Sequence, residues 1–320
     1  MQKINPDYVK LYQYSWDQHD NSLEVKFNIP ESISFDQVQI ELTHENSCFC
    51  GRVEGEIPFF AGLLWEPVES FERIENEENH TILLKITKKN ETEWYQIFHG
   101  PITDSTIIDP FTSFQLGVLC LKDPEYQISG SQMIGYAAAI CFPPALVFSA
   151  SVASENNKEE EAIKLYKIAA EYHSTQAMFA LGMISVKNGD LSAAFEHFQH
   201  SAEEGNLDAK ICLGELYSPL EEPRIEQENA EKAVQIFQEV LENSPDHPYA
   251  LLNLARHYKE GSGLPKDVHK AKELYERAKS LNPQIPEISF DDNLYTKLII
   301  GGLALLGIGL IFKFIMRRRK

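Results

Sequence analysis

The residues of this chain that could perform acid–base or nucleophilic chemistry are scattered rather than grouped. The ten histidines share no spacing, and the sequence has no glycine-rich phosphate loop, no HExxH pair and no GxSxG elbow. Cys48 and Cys50 are two residues apart, without a second pair or a nearby histidine to complete a metal site. Since alternate residues of a strand share one face, these thiols are interpreted as small packing residues. We therefore expect no catalytic residue, no metal site, no cofactor and no enzymatic activity.

Charge and cysteine content restrict the partners and the compartment. The chain carries a net charge of −19, and residues 297–320 contribute six cations and no acid, so the preceding residues carry −25. An acidic surface of this size repels nucleic acid and favours cationic partners. The five cysteines are odd in number and scattered, which suits a reducing compartment better than a disulfide framework.

The stretch 298–316 is the longest apolar run of the sequence, and its interpretation decides where the preceding domains lie relative to a membrane. Nineteen helical residues span roughly 28 Å, close to the ~30 Å hydrocarbon core of a bilayer. Lys313 is its single charged residue, and four cations follow it. The alternative is a buried terminal helix of a soluble domain. We predict a single transmembrane helix over 298–316, with the other domains on one side of the membrane.

This span is short and glycine-rich, and its far side is basic, which resembles the tail anchors of the outer membrane of mitochondria and related organelles. The resemblance implies cytosolic N-terminal domains and a single-pass protein. It assigns membrane targeting to five cations: Lys313, Arg317, Arg318, Arg319 and Lys320.

Residues 8 to about 99 show the period-two alternation of strands. Leu23, Val25 and Phe27 alternate with polar residues, and further runs follow at intervals near ten residues, separated by turn-forming Asn, Gly and Pro. Regular short strands of this kind predict an antiparallel β-sandwich.

Several short motifs in this region occur in an order that resembles the CS domain, the α-crystallin-like sandwich shared by small heat-shock proteins and several co-chaperones. They are Tyr14-Ser-Trp16-Asp-Gln18, Asn28-Ile-Pro30, Gly62-Leu-Leu64, and Lys88-Lys89 ahead of Trp94. The resemblance implies binding of chaperones or non-native clients without an active site. Trp16 and Trp94 are then packing residues or, alternatively, part of a ligand cage.

From about residue 126 the pattern changes to helices with a repeat. Four segments align on Ala162, Ala194, Ala233 and Ala271, with an aromatic residue four positions later in each. Between them lie partner segments that carry Leu-Gly or Leu-Ala pairs. Small residues at fixed places allow antiparallel helices to approach closely, and repeats of this length form an α-solenoid. The pattern resembles tetratricopeptide repeats, and the last copy resembles the Sel1-like variant.

Solenoids of this type bind ligands on the face built by the first helix of each pair. Carrying over the positions that face the groove in such repeats predicts a peptide-binding groove, called here the predicted groove: Phe179, Met183, Val186, Ile211, Glu215, Leu252 and Arg256. An apolar trough with nearby acids suits the two faces of a basic amphipathic helix. The alternative is that the apolar members simply pack between helices.

Together these interpretations give a multidomain β + α fold class. The predicted domains are a CS-like β-sandwich (1–100), a junction helix (101–125), an α-solenoid of tetratricopeptide and Sel1-like repeats (126–283), a linker (284–297), a transmembrane tail anchor (298–316) and a basic tail (317–320).

This combination resembles the tail-anchored receptors of the outer-membrane protein translocase of hydrogenosomes and mitochondria. It implies an import receptor that captures cytosolic precursor proteins, or chaperone–precursor complexes, and delivers them to a translocase pore. The implied partners are precursors with amphipathic or internal targeting signals, cytosolic chaperones and translocase pore subunits, and no nucleic acid. The alternative is a membrane-tethered co-chaperone or scaffold at the endoplasmic reticulum.

Overall fold

The computed structural model describes residues 2–43, 45–94, 96–100, 108–220, 222 and 229–290. The chain divides into two compact units, and the division falls between Ala177 and Met178. The predicted membrane span 298–316 and the basic tail 317–320 lie outside the described residues, as do 101–107 of the junction and 291–297 of the linker. The five cations assigned to membrane targeting therefore stay a prediction.

The first unit begins with two antiparallel four-stranded sheets. Their strands are β1 (Ser15–His19), β2 (Ser22–Asn28), β3 (Val38–Thr43), β4 (Cys48–Val53), β5 (Phe60–Leu64), β6 (Val68–Asn76), β7 (Thr81–Lys88) and β8 (Phe98–Gly100). One sheet has the order β1-β2-β7-β6 and the other β3-β4-β5-β8. Their bounds follow the alternating runs in the sequence closely, so the expected antiparallel β-sheets are confirmed.

Aromatic side chains join the two sheets into a sandwich. The ring of Phe27 on β2 lies 5.1 Å from that of Phe60 on β5, and the ring of Phe49 on β4 lies 5.2 Å from that of Phe71 on β6. Leu23, like Phe27, is fully buried, as the alternation requires. The core therefore consists of the apolar positions that period-two patterning selects.

The N-terminal segment departs from the expected strands. Residues Pro6–Tyr12 form a 3-10 helix, in which Pro6 occupies the first turn and the Asn5 side chain accepts a hydrogen bond from the backbone of Asp7. A capping residue followed by proline favours a helical start over a strand. The Tyr12 hydroxyl donates to the carbonyl of Ile57 at 3.0 Å and fixes the segment to the sandwich.

Four helices follow the sheets among the described residues of the first unit: α1 (Pro110–Cys120), α2 (Gln127–Ala139), α3 (Pro143–Glu155) and α4 (Glu159–Glu171). Asp109 caps α1 and Pro110 is its first residue, where its fixed φ angle favours the start of a helix. Pro143 and Pro144 occupy the first turn of α3, where the missing N–H groups cost no helical hydrogen bond.

Within the described residues, six further helices continue the repeats, whose first alanine, Ala162, lies on α4: α5 (Thr175–Lys187), α6 (Leu191–Glu203), α7 (Leu207–Tyr217), α8 (Ala230–Asn243), α9 (Pro248–Glu260) and α10 (Val268–Leu281). A Cβ added to Gly182 would lie 2.5 Å from the Phe198 ring, and one added to Gly214 would lie 2.5 Å from the Phe237 ring. In the α5–α6 and α7–α8 pairs, the aromatic residue of the second helix thus packs directly on the glycine of the first helix. The structure confirms the expected helical repeats.

The chain after α10 packs on the last repeat. Ile285 is only 2% exposed and belongs to one cluster with Leu251, Leu252 and Tyr275. The carbonyl of Ile285 also accepts a hydrogen bond from the Lys279 ammonium at 2.9 Å. The first residues of the predicted linker 284–297 are therefore part of the folded repeat region.

Within the described ranges, no single helix is both long and apolar enough to cross a bilayer. Helices α2 and α3 reach the length and apolar character of a membrane span only when they are taken together, and the chain bends by 118° between them.

Candidate peptide-binding groove

The seven residues of the predicted groove come from three helices, the first helix of each repeat. Phe179, Met183 and Val186 lie on α5, Ile211 and Glu215 on α7, and Leu252 and Arg256 on α9. Their spacing of three, four or seven places each set near one helix face. Burial divides the seven into two groups with different roles.

Met183, Ile211 and Leu252 are core residues. They are 7%, 3% and 3% exposed and belong to three separate clusters between helices. Ile211, for example, packs with Phe237 of α8 and Ala250 of α9. These three side chains would not meet a bound peptide without rearrangement of the helices, which matches the packing alternative considered for the apolar members.

Phe179 and Val186 form a partly exposed apolar edge beside Met183. The ring of Phe179 lies 5.8 Å from that of Phe198, so one side of it rests on the core while the rest faces outward. A supported aromatic ring of this kind provides apolar contact area with little loss of side-chain entropy on binding.

Polar side chains of α7 and α9 form a hydrogen-bonded row. The Asn253 amide donates to Glu215 Oε1 at 2.9 Å, and Arg256 Nη1 donates to Asn253 Oδ1 at 3.3 Å. Asn253 is 2% exposed, whereas Glu215 and Arg256 are partly exposed. The buried amide of Asn253 therefore holds the Glu215 carboxylate of α7 and the Arg256 guanidinium of α9 in fixed positions. Sequence reasoning missed Asn253. The equivalent positions of the other two repeats carry Ala180 and Cys212, so a polar residue at this place was the signal that could have identified it.

A serine–histidine pair lies nearby but is closed to substrates. Ser218 Oγ is 3.0 Å from His257 Nε2, and His257 Nδ1 is 2.8 Å from the carbonyl of Ser262. A carbonyl can only accept, so Nδ1 donates to it, which leaves Nε2 of a neutral ring to accept from the serine. Burial lowers the pKa of His257 and so favours this neutral form. Because the two side chains are 0% and 1% exposed, the pair joins the end of α7 to α9 rather than reaching a ligand.

The groove surroundings show an arrangement suited to binding. Among the described residues, no group of three or more His, Cys, Asp or Glu side chains could hold a metal ion. What this region presents is an apolar edge on α5 and a fixed acid–base row on α7 and α9. Such a surface can hold an amphipathic segment through both of its faces.

Comparisons with known proteins identify two kinds of repeat. Residues 149–209 match the tetratricopeptide repeat, and residues 248–283 match the Sel1 repeat. No curated protein matches the chain.

Solved structures with similar folds fall into two groups. A Sel1 repeat protein from Oxalobacter formigenes aligns with 23% identity and a TM-score of 0.47, over 54% of this chain and 71% of its own. The nuclear movement protein from E. cuniculi GB-M1 aligns with 23% identity and a TM-score of 0.23, over 27% of this chain and 98% of its own. The CS-b5R domains of human Ncb5or align with 21% identity and a TM-score of 0.25, over 28% of this chain and 26% of their own. By its own strand order and the two repeat matches, the chain combines N-terminal antiparallel β-sheets with tetratricopeptide and Sel1 repeats.

Proposed function

We propose that this protein is a tail-anchored receptor that captures precursor proteins, or chaperone–precursor complexes, on the cytosolic side of the outer membrane of a mitochondrion or hydrogenosome. It then hands them to a translocase pore in the same membrane. The observation that carries the proposal is the combination of the Phe179–Val186 edge with the row Glu215–Asn253–Arg256. Attachment to the membrane raises the local concentration of bound precursor at the pore.

The chemistry of the groove supports an amphipathic helical ligand. The apolar face of such a helix fits the edge on α5, and its basic face is attracted by the net charge of −25 outside the anchor. Arrays of this kind typically act as binding scaffolds with extended surfaces rather than as enzymes. The N-terminal sandwich, with its CS-like order of motifs, would contact chaperones or unfolded clients.

The groove is tested by placing acids on its apolar edge. The full chain in lipid nanodiscs is titrated with a labelled basic amphipathic peptide, and the variant Phe179→Asp/Val186→Asp is compared with wild type. We expect affinity to fall about tenfold or more, since two apolar contacts are lost. Met183→Asp is unsuitable, because Met183 is 7% exposed and a buried acid would destabilise the core.

The matched control is Val268→Asp, which places the same side chain on α10, where Val268 is 40% exposed. It should leave affinity unchanged. Undiminished affinity in a folded Phe179→Asp/Val186→Asp variant would remove the groove from the proposal.

Membrane placement is tested separately through the basic tail. Replacing Arg317, Arg318 and Arg319 by Gln should redirect the protein from the outer membrane to the endoplasmic reticulum. Wild-type protein already located at the endoplasmic reticulum would favour the alternative, a tethered co-chaperone or scaffold without a translocase partner.

A further inference from the structure

A cavity of about 230 Å³ opens in the first unit where the sandwich meets α1. We call it the edge pocket, because Trp16 of β1 and Phe98 of β8 line it, and these are outer strands of the two sheets. Its apolar wall consists of Tyr14, Trp16, Ile97, Phe98 and Phe111. Trp16 is half-buried here, whereas Trp94 is 4% exposed. Of the two tryptophans, Trp94 is a packing residue and Trp16 forms a wall of the pocket.

The polar atoms beside the edge pocket are already satisfied by one another. The Tyr14 hydroxyl lies 2.7 Å from Thr112 Oγ1, which donates to Asp109 Oδ2 at 2.7 Å. With Asp109 ionised, the threonine proton is used on the carboxylate, so Tyr14 is the donor in the first of these bonds. The inner part of a ligand therefore needs no polar group and gains by being apolar.

Two glutamine amides remain at the rim. Gln96 is half-buried and Gln115 is exposed on α1, and neither side chain makes a hydrogen bond with another described residue. Each primary amide offers two N–H donors and a carbonyl acceptor. A peptide backbone offers the complementary donor and acceptor next to every side chain.

The volume fits a single side chain. A protein cavity of about 150 Å³ holds benzene, so one of about 230 Å³ accommodates a leucine, phenylalanine or tryptophan side chain. We propose that the edge pocket binds one large apolar side chain of an extended polypeptide segment, while Gln96 and Gln115 bond the backbone around it. This site is separate in sequence from the predicted groove and does not depend on the proposed import function.

The test uses the full chain in lipid nanodiscs and short labelled peptides, Ser-Pro-Gly-Xaa-Gly-Pro-Ser, in which Xaa is alanine, leucine or phenylalanine. The prolines and glycines prevent helix formation, so the peptides are poor ligands for a helix-binding groove. We expect the leucine and phenylalanine peptides to bind about tenfold tighter than the alanine peptide. Gln96→Leu/Gln115→Leu should weaken binding about fivefold or more, because two hydrogen bonds are lost.

Two controls separate this site from the groove. Gln132→Leu makes the same exchange at an exposed position of α2 and should leave affinity unchanged, as should Phe179→Asp/Val186→Asp. Gln115→Leu alone serves if the double variant folds poorly, since Gln115 is exposed. Equal affinity for all three peptides, wild-type affinity in a folded Gln115→Leu variant, or loss of binding in the groove variant would overturn the proposal.

Discussion

At the scale of single residues, Asp109 joins α1 to the sandwich through a fully buried carboxyl group. Its oxygens accept hydrogen bonds from the backbone N–H of Thr112 at 2.8 Å and of Ala61 at 3.1 Å. Burial nevertheless raises the pKa of Asp109 from 3.8 to about 7. Between pH 3.8 and about 7, the folded protein therefore keeps a proton on this carboxyl group that the unfolded chain has already lost. Stability from this group is complete below about pH 4 and is lost as the pH rises through about 7.

We expect the free energy of unfolding of the first unit to fall by up to about 4 kcal/mol between about pH 4 and pH 8 in wild type, and much less in Asp109→Asn. Denaturant unfolding followed by tryptophan fluorescence measures it, since Trp16, Trp65 and Trp94 all lie in the first unit. Asp17→Asn, at an exposed position of β1, should keep the wild-type pH dependence. Parallel profiles for wild type and Asp109→Asn would contradict this account.

Gly214 gives a second prediction at the residue scale. Alanine usually stabilises a helix relative to glycine by about 1 kcal/mol, but a Cβ here would lie 2.5 Å from the Phe237 ring. We expect Gly214→Ala to lower the free energy of unfolding by about 1–3 kcal/mol through overpacking. Gly135→Ala in α2, where an added Cβ meets no atom within 4 Å, should be neutral or stabilising. Hydrogen exchange of α7 and α8 measures the first effect, and equal stabilisation by both substitutions would refute it.

At the scale of elements, the segment after α10 completes the last repeat. Ile285 fills the cluster with Leu251 and Tyr275, and the Phe290 ring lies 5.6 Å from that of Tyr275. We expect Ile285→Ala to destabilise the α9–α10 hairpin by about 2–4 kcal/mol, because buried methylenes are lost and a cavity remains. Faster amide exchange in α9 and α10 would show it. Leu281→Ala, at a side chain that is 44% exposed, should have little effect, and a loss as large as that of Ile285→Ala would argue against the packing role.

Elements were more predictable from sequence than sites, for a physical reason. Alternation or helical period states which side of an element is apolar, so β2, β4 and the helices that carry the repeats could be located from the sequence. The spacing of apolar residues does not show whether another element packs over a given apolar side chain or leaves it exposed. Met183 and Phe179 lie on the same helix at similar spacing, yet one is core and the other partly exposed. Asn253 was missed because its role depends on Glu215, which is 38 residues away.

At the scale of the whole molecule, the charge is distributed unevenly along the chain. Residues 297–320 carry only cations, and the preceding residues carry −25. A membrane with anionic lipids would attract the first group and repel the second. In the receptor proposed above, this distribution would keep the acidic units away from the membrane surface, where they would attract basic precursor segments before contact.

This charge distribution predicts a salt-dependent association rate. The association rate of a basic amphipathic peptide with the full chain in nanodiscs should fall about tenfold between about 20 mM and about 300 mM salt. Added salt shortens the Debye length, so the electrostatic field of the protein attracts the peptide over a shorter distance. A peptide with the same apolar face and glutamine in place of its cations should change less than about twofold. Glu215→Gln should alter the dissociation rate more than the salt slope, because one charge in 25 contributes little to the long-range field. Equal salt slopes for the two peptides would show that the acidic surface plays no part in capture, and that recognition depends on the apolar edge of α5 alone.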